Sequence, residues 1–271
     1  MAGRGGHGAM NLGNVRLVLR ERENLDLLDL ALRFVSGADR RAFLVTSLAF
    51  LAPALAGLAA LHFALGLAWP ALWLVALAIG PVLEGPFTML AGRLVFGDPA
   101  PLGVVARGFG ARLGAFVAGL VLQGAALALG SLLVLAWVIP WVRTAYLPEA
   151  CLLERASGPR AFARSIALVR GAAARTLGLV MLLALAQAAG VLVGELVGQA
   201  LAHEVLQLSL PFGSLFTEGG SLWALAGYLA ARPYIATARF LAYVDRRTRL
   251  DGWELQVRVM SLTGEQAEVS G

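Results

Sequence analysis

Lysine is missing altogether from the 271 residues; all 22 basic side chains are arginine. Aspartate and glutamate are few as well, and charged residues make up only 14% of the chain, where a soluble domain carries about a quarter. The single cysteine, Cys151, excludes a disulfide framework and a cysteine-based metal site. Acylation of a thiol near a membrane is one use for it; a small residue packed at a helix end is the simpler one. His7, His62 and His203 are the only histidines, and none belongs to a His-Glu-x-x-His pair. A phosphate-binding glycine loop ending in lysine and a nucleophile elbow are also missing. No catalytic residue, metal site or cofactor is therefore expected. Nucleic-acid binding would want aromatics interleaved with a basic soluble face, but Trp and Phe here sit in apolar runs. Residues 1–23 hold no apolar core of signal-peptide length and read as a cytoplasmic tail.

What the chain has is apolar residues, 59% of the total. The fold class this implies is an all-α membrane protein. A crossing takes roughly 20 apolar residues, and the apolar runs divide into about six transmembrane helices. These occupy residues 42–65, 71–91, two limbs of a hairpin within 113–153 divided near Gly130-Ser131, 176–201 and 221–244. The run 113–153 is too long for one ordinary span, and its second limb should bend at Pro140 and Pro148. Gly80, Pro81, Gly85 and Pro86 should kink or open the second span. Residues 253–259 alternate apolar and polar side chains and predict a short strand. The membrane domain covers 24–259, and 260–271 reads as a second cytoplasmic tail.

Three basic amphipathic stretches precede spans. In 24–35, Leu25, Leu28, Leu32 and Val35 share a helical face, with Asp29 and Arg33 elsewhere on the wheel. Residues 100–112 carry Arg107 and Arg112. The third begins at Ser157-Gly158-Pro159, where Ser157 can cap the helix and Pro159 suits its first turn. There Phe162, Ile166 and Val169 recur at helical spacing, while Arg160, Arg164 and Arg170 fall mostly on other faces. Such helices lie in a membrane surface with arginines among the headgroups. Arg33, Arg40, Arg41, Arg107, Arg112, Arg160, Arg164, Arg170 and Arg175 are the expected headgroup contacts. The opposite links contain no basic residue except His203, so the positive-inside bias places both termini in the cytoplasm of a cell whose inner membrane holds the chain. The three stretches with the spans that follow read as three copies of one unit, a surface helix plus a hairpin. The alternative is that any cytoplasmic loop leading into a span has this character.

The segments LDLLDLALRF, LLERASGPRAFARSIALVRG and PYIATARFLAYVDRRTRLDGWELQVRV resemble the membrane domain found beside glycerophosphoryl diester phosphodiesterases and its stand-alone bacterial relatives. Tyr243, Asp245, Arg247, Gly252 and Leu255 form the most specific part of the pattern. The resemblance covers about residues 24–259 and implies a multi-helix bacterial membrane domain with cytoplasmic ends. It does not imply the phosphodiesterase activity, which resides in a separate metal-binding barrel for which this chain has no room.

Ionisable groups inside spans suggest function by default. Glu84, in the proline-interrupted span, is either an ion or substrate site or a structural partner of Arg143 or Arg232; the structural role is the expectation. Arg232 is deep and needs a partner, whereas Arg239 can snorkel inward. Glu195, near the outer end of its span, should reach water. Gly190, Gly194 and Gly198 form a flat strip for close packing, against a helix of this chain or of a second copy; the same chain is preferred. The function expected is a non-enzymatic scaffold or accessory module that binds anionic headgroups, or a protein partner in the membrane or cytoplasm. A transporter or lipid-handling protein using Glu84 is the alternative, and a regulatory subunit of a separate enzyme is a third. The oligomeric state is left open.

Overall fold

The computed structural model describes residues 23–37, 39–132, 137–205, 207 and 212–269, with side chains described as far as 250. The expected N-terminal tail, 1–23, lies outside them except for Glu23, as do 270–271. The molecule is mostly helical. Among the described residues, four helices are long and apolar enough to cross a membrane: α2 (Arg40–Phe63), α3 (Trp69–Val95), α5 (Leu113–Ser131) and α9 (Ala173–Ala200), the last continued by a wider turn, Leu201–Val205. At 1.5 Å per residue they are about 28 to 42 Å long, against roughly 30 Å of hydrocarbon. Leu48, Leu74, Val121, Leu185 and Leu196 project outward from them, a pattern that suits lipid and would be costly in water. In α3 the most apolar window is 56% buried inside the molecule, against 17%, 11% and 17% in α2, α5 and α9. α3 is thus the central helix.

Shorter helices complete the bundle. α1 (Asn24–Ser36) begins on Glu23, whose amide donates to Asp26 Oδ2 at 3.3 Å, and ends at Gly37. Its buried residues are Leu27 and Ala31, which face the last helix of the chain; Leu25 and Leu32 point away from the bundle. The face expected from spacing is therefore rotated, because α1 packs on the bundle through one stripe and exposes another. α4 (Leu102–Gly110) and α8 (Gly158–Val169) form from the other two stretches that precede long helices. Ser157 occupies the capping position of α8, but its hydroxyl makes no capping bond. The buried face of α8 runs through Gly158, Ala161, Ser165 and Leu168, with Phe162 and Ile166 half-buried. Small residues bring α8 close to α5, where Gly158 approaches Gly119.

The hairpin expected in 113–153 is present in an altered form. After α5 the chain returns along it as two six-residue helices, α6 (Val138–Arg143) and α7 (Leu147–Leu152), not as one span. Pro140 lies within α6 and Pro148 in the first turn of α7. The Thr144 hydroxyl between them donates to Pro140 O at 2.7 Å, and Gln123 Nε2 from α5 donates to Thr144 Oγ1 at 3.0 Å. The link from α9 forms a two-stranded ribbon, β1 (Gly213–Ser214) and β2 (Gly220–Ser221), around α10 (Leu215–Glu218). The chain then returns along the bundle as α11 (Leu222–Ala230) and α12 (Arg232–Val269). α12 overturns the strand expected at 253–259. An isolated strand leaves its backbone groups unpaired, and the ribbon's two strands are the only ones among the described residues. Continuing the helix satisfies each group locally.

Successive long elements run in opposite directions, so the arginine-bearing turns collect at one end. There Asn24 Nδ2 donates to Arg175 O at 2.9 Å, Arg175 meets Asp245 at 3.2 Å, and Arg246 Nε donates to Leu168 O at 2.7 Å. The opposite end is held by Trp69 Nε1 donating to Glu218 and Trp73 Nε1 donating to Gly219 O, each at 3.2 Å. His62 stacks on Trp69 there, with 4.1 Å between ring centroids.

Candidate functional site

α3 stays helical through Gly80, Pro81, Gly85 and Pro86, so the expected opening does not occur. Each proline removes one backbone donor, but the two glycines let neighbours close over the helix. Tyr228 and Arg232 lie against Gly80, and Phe109 lies against Gly85. That close approach of α3 to α12 delivers Glu84 to two arginines. Arg232 Nη1 donates to Glu84 Oε1. Arg239 Nη1 lies 2.7 Å from Glu84 Oε2 as an ion pair, without hydrogen-bond alignment. Arg239 Nε also donates to Glu149 Oε1 at 2.7 Å. Arg232 and Arg239 stand two turns apart on α12 and so share a face. The four side chains are 9% (Arg232), 14% (Arg239), 2% (Glu84) and 0% (Glu149) exposed. The Arg232 guanidinium carbon further lies 4.0 Å from the Tyr228 ring centroid, a cation–π contact.

The expected structural role for Glu84 thus has Arg232 as one partner and Arg239 as the other. Arg143 is exposed and takes no part; its backbone carbonyl accepts from Ser165 Oγ at 2.8 Å. Arg239 does not snorkel, because it has two carboxylates within reach where it stands. Glu149 and Arg239 were missed as members of the site. Glu149 carried the same signal as Glu84, a carboxylate in an apolar stretch, hidden by the prolines that made its surroundings look like a helix end.

Beside the cluster lies a cavity of about 560 Å³ between α3, α5, α6, α9 and α12. Glu84, Arg232, Arg239, Gln123 and Gln187 supply its polar lining; Leu77, Leu120, Leu127, Trp141, Val180 and Leu183 supply much of the rest. Gln187 Nε2 donates to Tyr228 O at 3.1 Å.

Glu195 does not reach water. It is 1% exposed and accepts from the amide of Leu215 at 2.9 Å, from Gln199 Nε2 at 3.3 Å and from the Ser221 hydroxyl. Ser221 Oγ in turn accepts from Ala224 N at 2.9 Å and caps α11. Glu195 therefore pins the ribbon to α9. Gly190, Gly194 and Gly198 face α11 of the same chain, against Ala231, Gly227 and Trp223 respectively. The helices are in backbone contact, because a Cβ at Gly194 would stand 2.5 Å from Gly227 Cα and 2.6 Å from Trp223 O.

The arginines expected at headgroups divide into two sets. Arg40, Arg41, Arg107, Arg160 and Arg170 are exposed at the basic end, and Arg33 is exposed and paired with Asp29 at 2.9 Å. Arg112, Arg164 and Arg175 are partly buried and used inside the molecule. Arg112 donates to Leu152 O, and burial and then the neighbouring Arg155 push its guanidinium below the ordinary value. Arg164 pairs with Glu154 at 2.9 Å, and Tyr243 OH donates to the same carboxylate at 2.6 Å. Among the described residues no group of His, Cys, Asp and Glu is placed to hold a metal ion. Comparison of the chain with family models, with curated proteins and with solved structures finds no match in any of the three.

Proposed function

We propose that the chain is a non-catalytic module of a bacterial inner membrane that crosses the bilayer six times with both termini in the cytoplasm. α2, α3, α5, the α6–α7 limb, α9 and α11–α12 are the six crossings. The reading groups them with α1, α4 and α8 as three repeats of a surface helix plus a hairpin, in keeping with the resemblance to the phosphodiesterase-associated membrane domain. The module acts as a scaffold or accessory subunit whose basic end holds anionic lipid headgroups and gives a cytoplasmic partner a place to dock. The observation that carries this reading is the gathering of Arg40, Arg41, Arg107, Arg160 and Arg170 in exposed positions at one end, with none of the chain's arginines in the links at the other. Each arginine near an anionic surface is worth about 1 kcal/mol.

Changing these five arginines to glutamine together should lower the anionic share of lipid retained by the purified protein about tenfold or more. Mass spectrometry of bound lipid reads this directly. An unchanged lipid profile would remove the headgroup role. The transporter alternative draws support from the cavity, but Glu84 speaks against a freely titrating carrier, since both its oxygens face arginine.

A further inference from the structure

We infer that the cavity beside Glu84 is a binding site for a neutral single-chain amphiphile whose head carries hydroxyl groups, of the monoacylglycerol kind. This rests on the membrane reading above and adds a ligand to it. The cavity, about 560 Å³, falls within the roughly 300–1,000 Å³ of small-molecule sites. Its leucine and valine walls offer an acyl chain what the bilayer offers. Its polar end selects the head.

Charge balance decides what kind of head. Glu84 and Glu149 offset Arg232 and Arg239, so a charged head would find no net counter-charge and would be desolvated without return. What the cluster has left over is hydrogen bonds. Arg232 Nε and Arg239 Nη2 are buried donors without partners, and Gln187 Oε1, Glu84 Oε2 and Glu149 Oε2 are buried acceptors without a hydrogen bond. Glu84 Oε2 already faces Arg239 as an ion pair and Glu149 is not part of the lining; the other three atoms belong to side chains that line the cavity and have no such partner. The Gln187 amide is not free to turn, because Tyr228 O can only accept and so holds the nitrogen. Such groups are costly to leave unpaired when buried. A head that accepts from two guanidinium N–H groups and donates to one amide oxygen resolves all three, and a pair of hydroxyls does both.

The test uses the full chain in nanodiscs of zwitterionic lipid with radiolabelled 1-oleoylglycerol as probe. Oleate and oleoyl lysophosphatidylglycerol are the anionic competitors. Gly124 lines the cavity, and a Cβ there meets nothing within 4 Å, so Gly124→Leu should fill the space without strain. Saturable binding near one probe per chain is expected, weakened at least tenfold by Gly124→Leu and several-fold by Gln187→Leu. The five-arginine variant should bind the probe as the parent does. Ala184→Phe fills the same cavity from α9 and serves if Gly124→Leu does not keep the parent's melting temperature. Tighter binding of oleate or the lysolipid would overturn the neutral head. Uptake that is linear in probe and indifferent to both fillings would show only bulk lipid in the cavity and overturn the site. Failure of the chain to enter nanodiscs would instead refute the membrane reading.

Discussion

Glu84→Ala is expected to destabilise the protein by about 3–5 kcal/mol, since it leaves buried arginine charge without its counter-ion. Arg232 loses its only carboxylate partner among the described contacts, and Arg239 keeps Glu149 alone. Glu84→Gln should be milder but still lower the folded yield, because an amide can accept from one arginine and cannot neutralise either. Thermal melting of the detergent-purified protein reads both. Removing a charge and its partner together should cost less than the sum. The double variant Glu84→Met, Arg232→Met should therefore be more stable than Glu84→Ala alone, as apolar side chains replace a buried pair that was expensive to desolvate. If Glu84→Gln keeps the parent's melting temperature and yield, the cluster is not a structural tie.

Gly194→Val should be the second large effect, at about 1–3 kcal/mol or more. In most helices a larger residue replaces glycine with a gain in helix propensity. Here the new Cβ would meet the Gly227 Cα and the Trp223 carbonyl, which are backbone and cannot turn aside. α9 and α11 would have to part along their whole contact. The control is Gly124→Leu on α5, where the space is open and the propensity gain should appear unopposed. Equal melting temperatures for Gly194→Val and the parent would contradict the close packing of α9 on α11.

The long helices were legible because each is written in consecutive residues. An apolar run of sufficient length, a break at Gly37 and a start at Gly158-Pro159 are local signals. The glycine strip was legible for the same reason, since its spacing lies within one helix. The cluster was legible by half. Glu84 and Arg232 stood out as charges within spans, but which arginine meets which carboxylate depends on how α3, α7 and α12 cross, and no local pattern carries that. Arg239 looked near enough to a helix end to reach water, and only the packing of α7 against α3 puts Glu149 beside it. Glu195 was misjudged because its partners, Leu215 and Ser221, come from a link whose fold has no periodicity to read. The strand expected at 253–259 failed because alternation over so few residues is weaker than the continuation of a helix already formed.

The central claim is that the arginine-bearing turns lie together on the cytoplasmic face while the ribbon between α9 and α11 lies on the other. Cys151 is buried and is the chain's only thiol, so single cysteines can be introduced in a Cys151→Ser background. A membrane-impermeant maleimide applied to intact cells should label Glu218→Cys and leave Arg107→Cys and Arg160→Cys unlabelled until the inner membrane is opened. Labelling of Arg160→Cys from outside an intact cell, or protection of Glu218→Cys there, would contradict the account.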